Sequence, residues 1–324
     1  MTQPPTATAL LACITLSSPA LAVDTSRSEV REFIAEMQRD YEFDPDALTR
    51  LLSKAETKQN ILDAISRPAE RVVPWHEYRL QFLNPQRIQY GVRFRDEHPE
   101  RLKAIGDAQL ANTVLGILGV ETSYGRITGR FRVIDALTTL AFDYPPRGEF
   151  FRSELQQFLL LTREEAVDPL TALGSYAGAM GSPQFISSSY RKYAIDADDD
   201  GRRDLWSSWD DIVGSVANYL RAFGWRQNEE VVVEAAVAAE DIDRFSAGRI
   251  ELNETVQSLR TKGARFETRM PDDAPAMLVI AQGKDGPVYR VGFNNFYVIT
   301  RYNRSTMYSM AVHDLGEAVA GASR

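Results

Sequence analysis

Between Leu110 and Gly125 the chain reads LANTVLGILGVETSYG, and one residue in it is out of place. Leu110, Val114, Ile117 and Leu118 recur at helical spacing, and Glu121 falls on the same apolar face. A carboxyl pressed against apolar neighbours in the last turn of a helix is desolvated. It also faces the negative end of the helix dipole, and both effects favour its protonated form. Such a group can serve as a general acid near neutral pH. A lone Glu at a helix end can equally tip into water, so the rest of the chain has to decide.

Two further stretches carry chemistry. Asp196 to Ser207, DADDDGRRDLWS, follows most of the calcium-loop template: acidic residues at the first, third and fifth positions, Gly201 at the sixth and Asp204 at the ninth. Asp196, Asp198 and Asp200 could curl around a hard cation, with the Arg202 carbonyl as backbone ligand. The departure is Ser207 at the twelfth position, where the template has a bidentate Glu, so Asp210 or Asp211 must reach back to close the shell. Gly174 to Tyr190, GSYAGAMGSPQFISSSY, lacks a period but holds Met180, Phe185 and Ile186, which predicts a packed loop. Its small residues let backbone approach a ligand. Ser175 and Gln184 offer neutral hydrogen bonds suited to sugar hydroxyls and amides, although a tight structural turn would use the same residues.

Around these stretches the periodicity predicts mostly helices. Asp44-Pro45 opens one with Leu48, Leu51 and Leu52 on one face. Others are expected from about Asp107 to a left-handed cap at Gly125, over 131–142, over 149–165 and over 212–225. Gly116 and Gly119 weaken the first of these, which makes sense if another backbone must pass close by. His76 and His98, set among charged residues, read as solvated surface. Val231 to Val233, Met277 to Ile280 and Val288 to Phe293 read as strands, the last two joined at Asp285-Gly286. A helix is expected near 251–262, and the tail carries Tyr302, Asn303 and Tyr308 before a final helix.

The 324 residues are 44% hydrophobic and 25% charged, a soluble globular composition with a formal net charge of -8, which argues against a nucleic-acid partner. Residues 1–22 contain no charged side chain, and Ala20-Leu21-Ala22 is a small-x-small cleavage pattern, so an export signal cut after Ala22 is expected. Leu10-Leu11-Ala12-Cys13 offers the rival reading of a lipoprotein anchored through Cys13. With the signal removed no cysteine remains, which excludes a thiol nucleophile.

Glu121-Thr122-Ser123-Tyr124-Gly125, the GSYAGAMGSPQF loop, the acidic loop and VANYLRAFGW occur in an order that resembles the lytic murein transglycosylase B family, over about residues 30–315. The resemblance implies a predominantly helical α+β protein with a lysozyme-like core, a helical N-terminal region and small β appendages. It divides the chain into a signal (1–22), the N-terminal region (23–105), a catalytic core with a calcium-type loop (106–225) and a mixed α/β region completing the cleft (226–324). It implies cleavage of peptidoglycan between N-acetylmuramic acid and N-acetylglucosamine without water, leaving 1,6-anhydromuramoyl ends, with Glu121 as acid and then base. Substrate contacts carry over to Arg147, Ser175, Gln184, Tyr219, Tyr302, Asn303 and Tyr308. Where the family can show an Arg pair after Tyr-Pro, this chain has Pro146-Arg147. A structural calcium carries over to Asp196, Asp198, Asp200 and Arg202, with Asp211 closing the shell, and no cofactor is expected for catalysis. The implied setting is the periplasm of a Gram-negative bacterium, or its outer membrane if Cys13 is lipidated. The implied partners are glycan strands and proteins of wall synthesis or division, bound by a monomer. A hydrolytic muramidase on the same fold and a non-catalytic peptidoglycan-binding scaffold are the alternatives.

Overall fold

The structure, a computed structural model, describes residues 21–66, 73–245 and 249–322. Most of the expected signal, including Cys13, lies outside the described residues. In chain order come β1 (Leu21–Ala22), α1 (Ser28–Tyr41), α2 (Pro45–Leu52), β2 (Glu56–Thr57), α3 (Gln59–Ser66), α4 (Trp75–Tyr78), α5 (Pro85–Glu97), α6 (Pro99–Ala104) and α7 (Ala108–Thr122). Then follow β3 (Phe131–Arg132), α8 (Val133–Asp143), α9 (Gly148–Glu164), β4 (Leu173–Gly174), α10 (Ser187–Tyr193) and α11 (Trp209–Ala222). The last stretch holds β5 (Val232–Ala235), β6 (Glu254–Thr255), α12 (Val256–Thr261), β7 (Pro275–Gln282), β8 (Pro287–Gly292), α13 (Asn294–Tyr302) and α14 (Thr306–Gly321).

The helices start where their caps place them. Asp44 accepts hydrogen bonds from the Asp46 and Ala47 amides ahead of Pro45, and Asp107 does the same for Gln109 and Leu110 at the head of α7. α7 is buried on nearly all sides, with Leu110, Val114, Ile117 and Leu118 at most 1% exposed. Its closest companion is α14. A Cβ built on Gly116 would lie 2.0 Å from the Val312 carbonyl oxygen, and one built on Gly316 would lie 2.2 Å from that of Asn112. The expected close backbone is therefore the C-terminal helix, folded back across the whole chain. One apolar core runs from Val30 in α1 through α7, α8 and α9 to Val319 in α14.

Residues 232–292 form a four-stranded antiparallel sheet in the order β5-β8-β7-β6, with Leu278 opposite Val291 and Gln282 opposite Pro287 at the expected Asp285-Gly286 turn. It has its own small core around Val256, Leu259, Val291 and Phe293. Two expected helices prove mixed: 131–142 opens with β3, paired to β4, and 251–262 opens with β6. His98 is also not free surface. Its ring sits 4.5 Å from that of Phe94 and 5.7 Å from that of Trp209, and burial pushes its pKa down.

Candidate active site

α7 does not end at Gly125. Its cap is Ser123 at φ 52°, and Tyr124 and Gly125 follow at 60° and 76°, three left-handed residues in a row. Only the glycine adopts that region freely, so the other two are held by their surroundings. Thr122 supplies part of the hold. Its hydroxyl donates to the Ser182 carbonyl at 2.8 Å and accepts from the Gly125 amide at 3.0 Å, which ties the helix end to the 174–190 loop. Arg87, from α5, supplies more: its Nη1 donates to the Gly119 and Val120 carbonyls at 2.8 and 3.3 Å, adding a positive charge at the negative end of the helix.

Glu121 sits on this braced turn, half-buried. Burial raises its pKa to about 7, against the opposing pull of the Tyr308 hydroxyl, which donates to Oε1 at 2.6 Å. Tyr308, in the first turn of α14, is buried, and its own pKa is raised by burial and by the carboxylate beside it. Tyr78 on α4 and Tyr302 on α13 also feel the charge of Glu121, each after the larger effect of burial. Among the described residues no second carboxylate contributes to the protonation of Glu121. The tyrosines come from α4, α13 and α14, elements distant in sequence that the close packing of α7 on α14 helps to bring together.

The other expected sugar contacts divide. Tyr302 donates to the Pro183 carbonyl and Tyr219 to that of Arg301, both at 2.6 Å. Their rings, 4.9 Å apart, pack on Phe185. Tyr302 thus ties the loop to α13 by its hydroxyl, and both rings back the loop's Phe185. Gln184, at φ 54°, donates its amide to the Thr128 and Gly181 carbonyls, and its Oε1 forms no hydrogen bond among the described residues. Ser175 Oγ accepts from the amides of Ala177 and Ala179. Asn303 is exposed beyond the end of α13. Arg147 is exposed in the short turn between α8 and α9, with its guanidinium 4.4 Å from the Phe150 ring and 5.1 Å from that of Phe151. Sequence reasoning missed Tyr78 and Arg87, since only folding brings Tyr78 within the field of Glu121 and lays Arg87 across the end of α7.

Loss of the Tyr308 hydroxyl removes a bond that favours the charged carboxylate. Tyr308→Phe is therefore expected to move the alkaline limb of the activity profile upward in pH. It should also cost on the order of tenfold in kcat through lost positioning of Glu121. An unmoved limb would show that the bond does not act on the reacting carboxyl.

In the acidic loop one oxygen each from Asp196, Asp198 and Asp211 lies within 4.8 Å of the others, the arrangement expected of a hard cation's ligands. Asp211 is fully buried and accepts from the Ala197 and Asp204 amides, both at 2.7 Å. Its pKa is raised first by burial and then by the charges of Asp198 and Asp196. Asp200 is outside this trio and instead accepts from the Arg202 amide at 2.9 Å. Asp204 caps Trp206 and Ser207, so it and the residue at the twelfth position satisfy each other.

The family model described as the transglycosylase SLT domain matches residues 25–317. Over 301 residues the chain is 38% identical to the membrane-bound lytic murein transglycosylase B of Escherichia coli (strain K12), covering 90% of this chain and 82% of that protein. Catenated SltB1 from Pseudomonas aeruginosa superposes with a TM-score of 0.87 at 47% identity, covering 91% of this chain and 97% of its own. Escherichia coli Slt35, solved with calcium, superposes at 0.83 and 36% identity, covering 93% and 96%. Pseudomonas aeruginosa SltB3, solved with NAG-NAM-pentapeptide, superposes at 0.77 and 29%, covering 91% and 80%. The chain belongs to the transglycosylase SLT domain family, and its predominantly helical α+β architecture is that of the family's lysozyme-like structures.

Proposed function

We propose that this lytic transglycosylase cuts the muramoyl–glucosaminyl bond of peptidoglycan with Glu121 as its only proton carrier. The carrying observation is a half-buried carboxyl with a pKa raised to about 7, bonded to Tyr308 and without a carboxylate partner among the described residues. Glycosidases that use water place two carboxyls about 5–9.5 Å apart, one for the leaving oxygen and one for a nucleophile or a water. With one carboxyl the economical route gives the glycosidic oxygen the proton of Glu121. The resulting carboxylate takes the proton of the muramoyl C6 hydroxyl as that oxygen closes onto C1. A nucleophile within the substrate needs no bound water and gains the rate advantage of an intramolecular reaction. The carboxylate left after the first step is stabilised by the Tyr308 hydroxyl already aimed at it. Ser175, Gln184 and Asn303, exposed or half-buried on the loop and tail, are the residues we assign to sugar hydroxyls and acetamido groups, with Tyr219 and Tyr302 shaping the loop and Tyr308 orienting the acid. Arg147 is assigned to the outer reach of the substrate.

The reading is supported by the relatives named as lytic transglycosylases and by SltB3, whose ligand is a disaccharide pentapeptide. Digestion of purified sacculi tests it: every new muramoyl end should be one water lighter than a hydrolytic end. Full-mass reducing ends would overturn it.

We assign the acidic loop to a structural calcium ion held by Asp196, Asp198 and Asp211. Asp200 and the Arg202 carbonyl complete the shell only if the loop adjusts around the ion. Slt35, solved with calcium, supports the choice of metal. The ion would neutralise clustered negative charge far from the chemistry. Chelation is expected to lower the Tm, calcium to restore it, and Asp211→Asn to remove the response. An unchanged midpoint on chelation would count against the ion. Export through the signal at residues 1–22 fits a wall substrate. No helix among the described residues is long and apolar enough to cross a membrane.

A further inference from the structure

A cavity of about 400 Å³ opens between β2 with the first turn of α3 and β3 with the start of α8. Three cations line it, Lys58, Arg130 and Arg132, against two carboxylates, Glu56 and Asp135. Lys58 pairs with Glu56. Arg132 is held by Asp135 through two bonds of 2.8 and 2.9 Å and lies 3.5 Å from Glu56. Arg130 is different. It is exposed and forms no ion pair among the described residues, its charge resting 6.0 Å from the Phe131 ring. The cavity therefore carries one uncompensated positive charge on a chain whose net charge is -8.

Its location joins it to the site. Arg130 lies two residues beyond Thr128, whose carbonyl accepts the Gln184 amide. β3 pairs with β4, Phe131 opposite Gly174, and β4 runs directly into Ser175. A Cβ on Gly129 would lie 2.6 Å from the Ser175 amide nitrogen, so the two segments touch. Along this seam stand large apolar side chains left in water: Ile127 at 68% exposure, Leu173 at 44% and Tyr176 at 40%. A ligand that continues past Ser175 and Gln184 meets an apolar edge and then a free guanidinium in a pocket of ligand-binding size.

We propose that this cavity is a subsite for a free carboxylate on the peptide stem of the glycan, with Arg130 as the anion-binding side chain. The inference rests on the peptidoglycan reading above: on an intact strand the lactyl carboxyl of each muramoyl sugar is amide-bonded to the stem, so the free carboxylates are those of the stem itself. An extended stem of five residues reaches roughly 17 Å from its sugar, enough to leave the glycan path and enter a neighbouring pocket. A guanidinium meets a carboxylate through two parallel bonds, and the paired cations Lys58 and Arg132 keep Glu56 and Asp135 from neutralising Arg130.

The test compares strands that carry stems with the same strands stripped of them by an amidase, which removes the stem carboxylates and leaves only the lactyl carboxylate on each muramoyl sugar. For Arg130→Ala, with an unchanged Tm, the ratio of kcat/KM on stem-bearing to stripped strands should fall about five- to twentyfold, mainly through KM. Arg130→Glu should lower it further, and Arg130→Lys, which keeps the charge but not the two parallel bonds, should restore part of it. An unchanged ratio in both the Ala and Glu variants would overturn the subsite. It would leave the functional reading standing wherever the wild type still makes anhydro ends on both strands, whereas water-bearing ends from the wild type would sink that reading instead.

Discussion

Glu121→Gln is expected to lower sacculus lysis by at least about a thousandfold while making the protein more stable above neutral pH. One general acid or base contributes roughly 10²–10⁴ in rate, and here the same carboxyl serves both steps, which places the loss at the upper end. The stability gain follows from the sign of the shift. Glu121 has a folded pKa of about 7 against an ordinary 4.5, so between those values the folded protein holds a proton that the unfolded chain has released. Stability therefore falls as pH rises through that window, and above pH 7 the charged, buried carboxylate costs on the order of 3 kcal/mol. Gln cannot ionise, so the variant should melt close to wild type below about pH 4.5 and higher than wild type at pH 8. Melting curves at the two pH values check this directly. A variant that lyses sacculi at the wild-type rate would remove Glu121 from the chemistry.

Gly116→Leu should be the most damaging change away from the catalytic carboxyl. Any Cβ there meets the Val312 carbonyl at 2.0 Å, and backbone in a buried helix cannot step aside as the end of a flexible side chain can. Forcing the helices apart should cost about 3 kcal/mol or more, a fall in Tm of roughly 5–10 °C. It should also impair catalysis in the protein that remains folded. Val312 is one helical turn beyond Tyr308, so a displaced α14 carries the phenol away from Glu121. Gly321, the last residue of the same helix, has nothing within 4 Å of a built Cβ, and Gly321→Ala serves as the neutral control. Equal melting of the two variants would contradict the close approach of α7 and α14.

Helix positions and the apolar setting of Glu121 were legible because they depend on local pattern. The apolar face of α7 is written at three- and four-residue spacing, and a carboxylate on that face is conspicuous. The β7–β8 hairpin was legible for the same reason, with two strand-like runs around Asp285-Gly286. What could not be read was whatever depends on contacts between distant segments. The left-handed run from Ser123 to Gly125 is held by Ser182 through Thr122, and no local signal announces it. Tyr78 looks like one more aromatic in a proline-broken region until folding brings it within the field of Glu121. Tyr219 and Tyr302 read equally as sugar contacts or packing, and their hydroxyls prove to be spent on backbone carbonyls. Arg147 sits between proline and glycine with nothing local to aim it, and it settles on neighbouring phenylalanines. In the acidic loop the template named Asp196 and Asp198 and the family resemblance added Asp211, and these three do lie together, whereas Asp200, named with them, turns to its own backbone.

The source of the new oxygen at the cut end separates this mechanism from its rivals most directly. In sacculi digested in heavy-oxygen water, one carboxyl activating the substrate's own C6 hydroxyl should leave every released muramoyl end free of solvent oxygen. Heavy oxygen at C1 of the first-formed products would mean that water is the nucleophile and that Glu121 does not act alone.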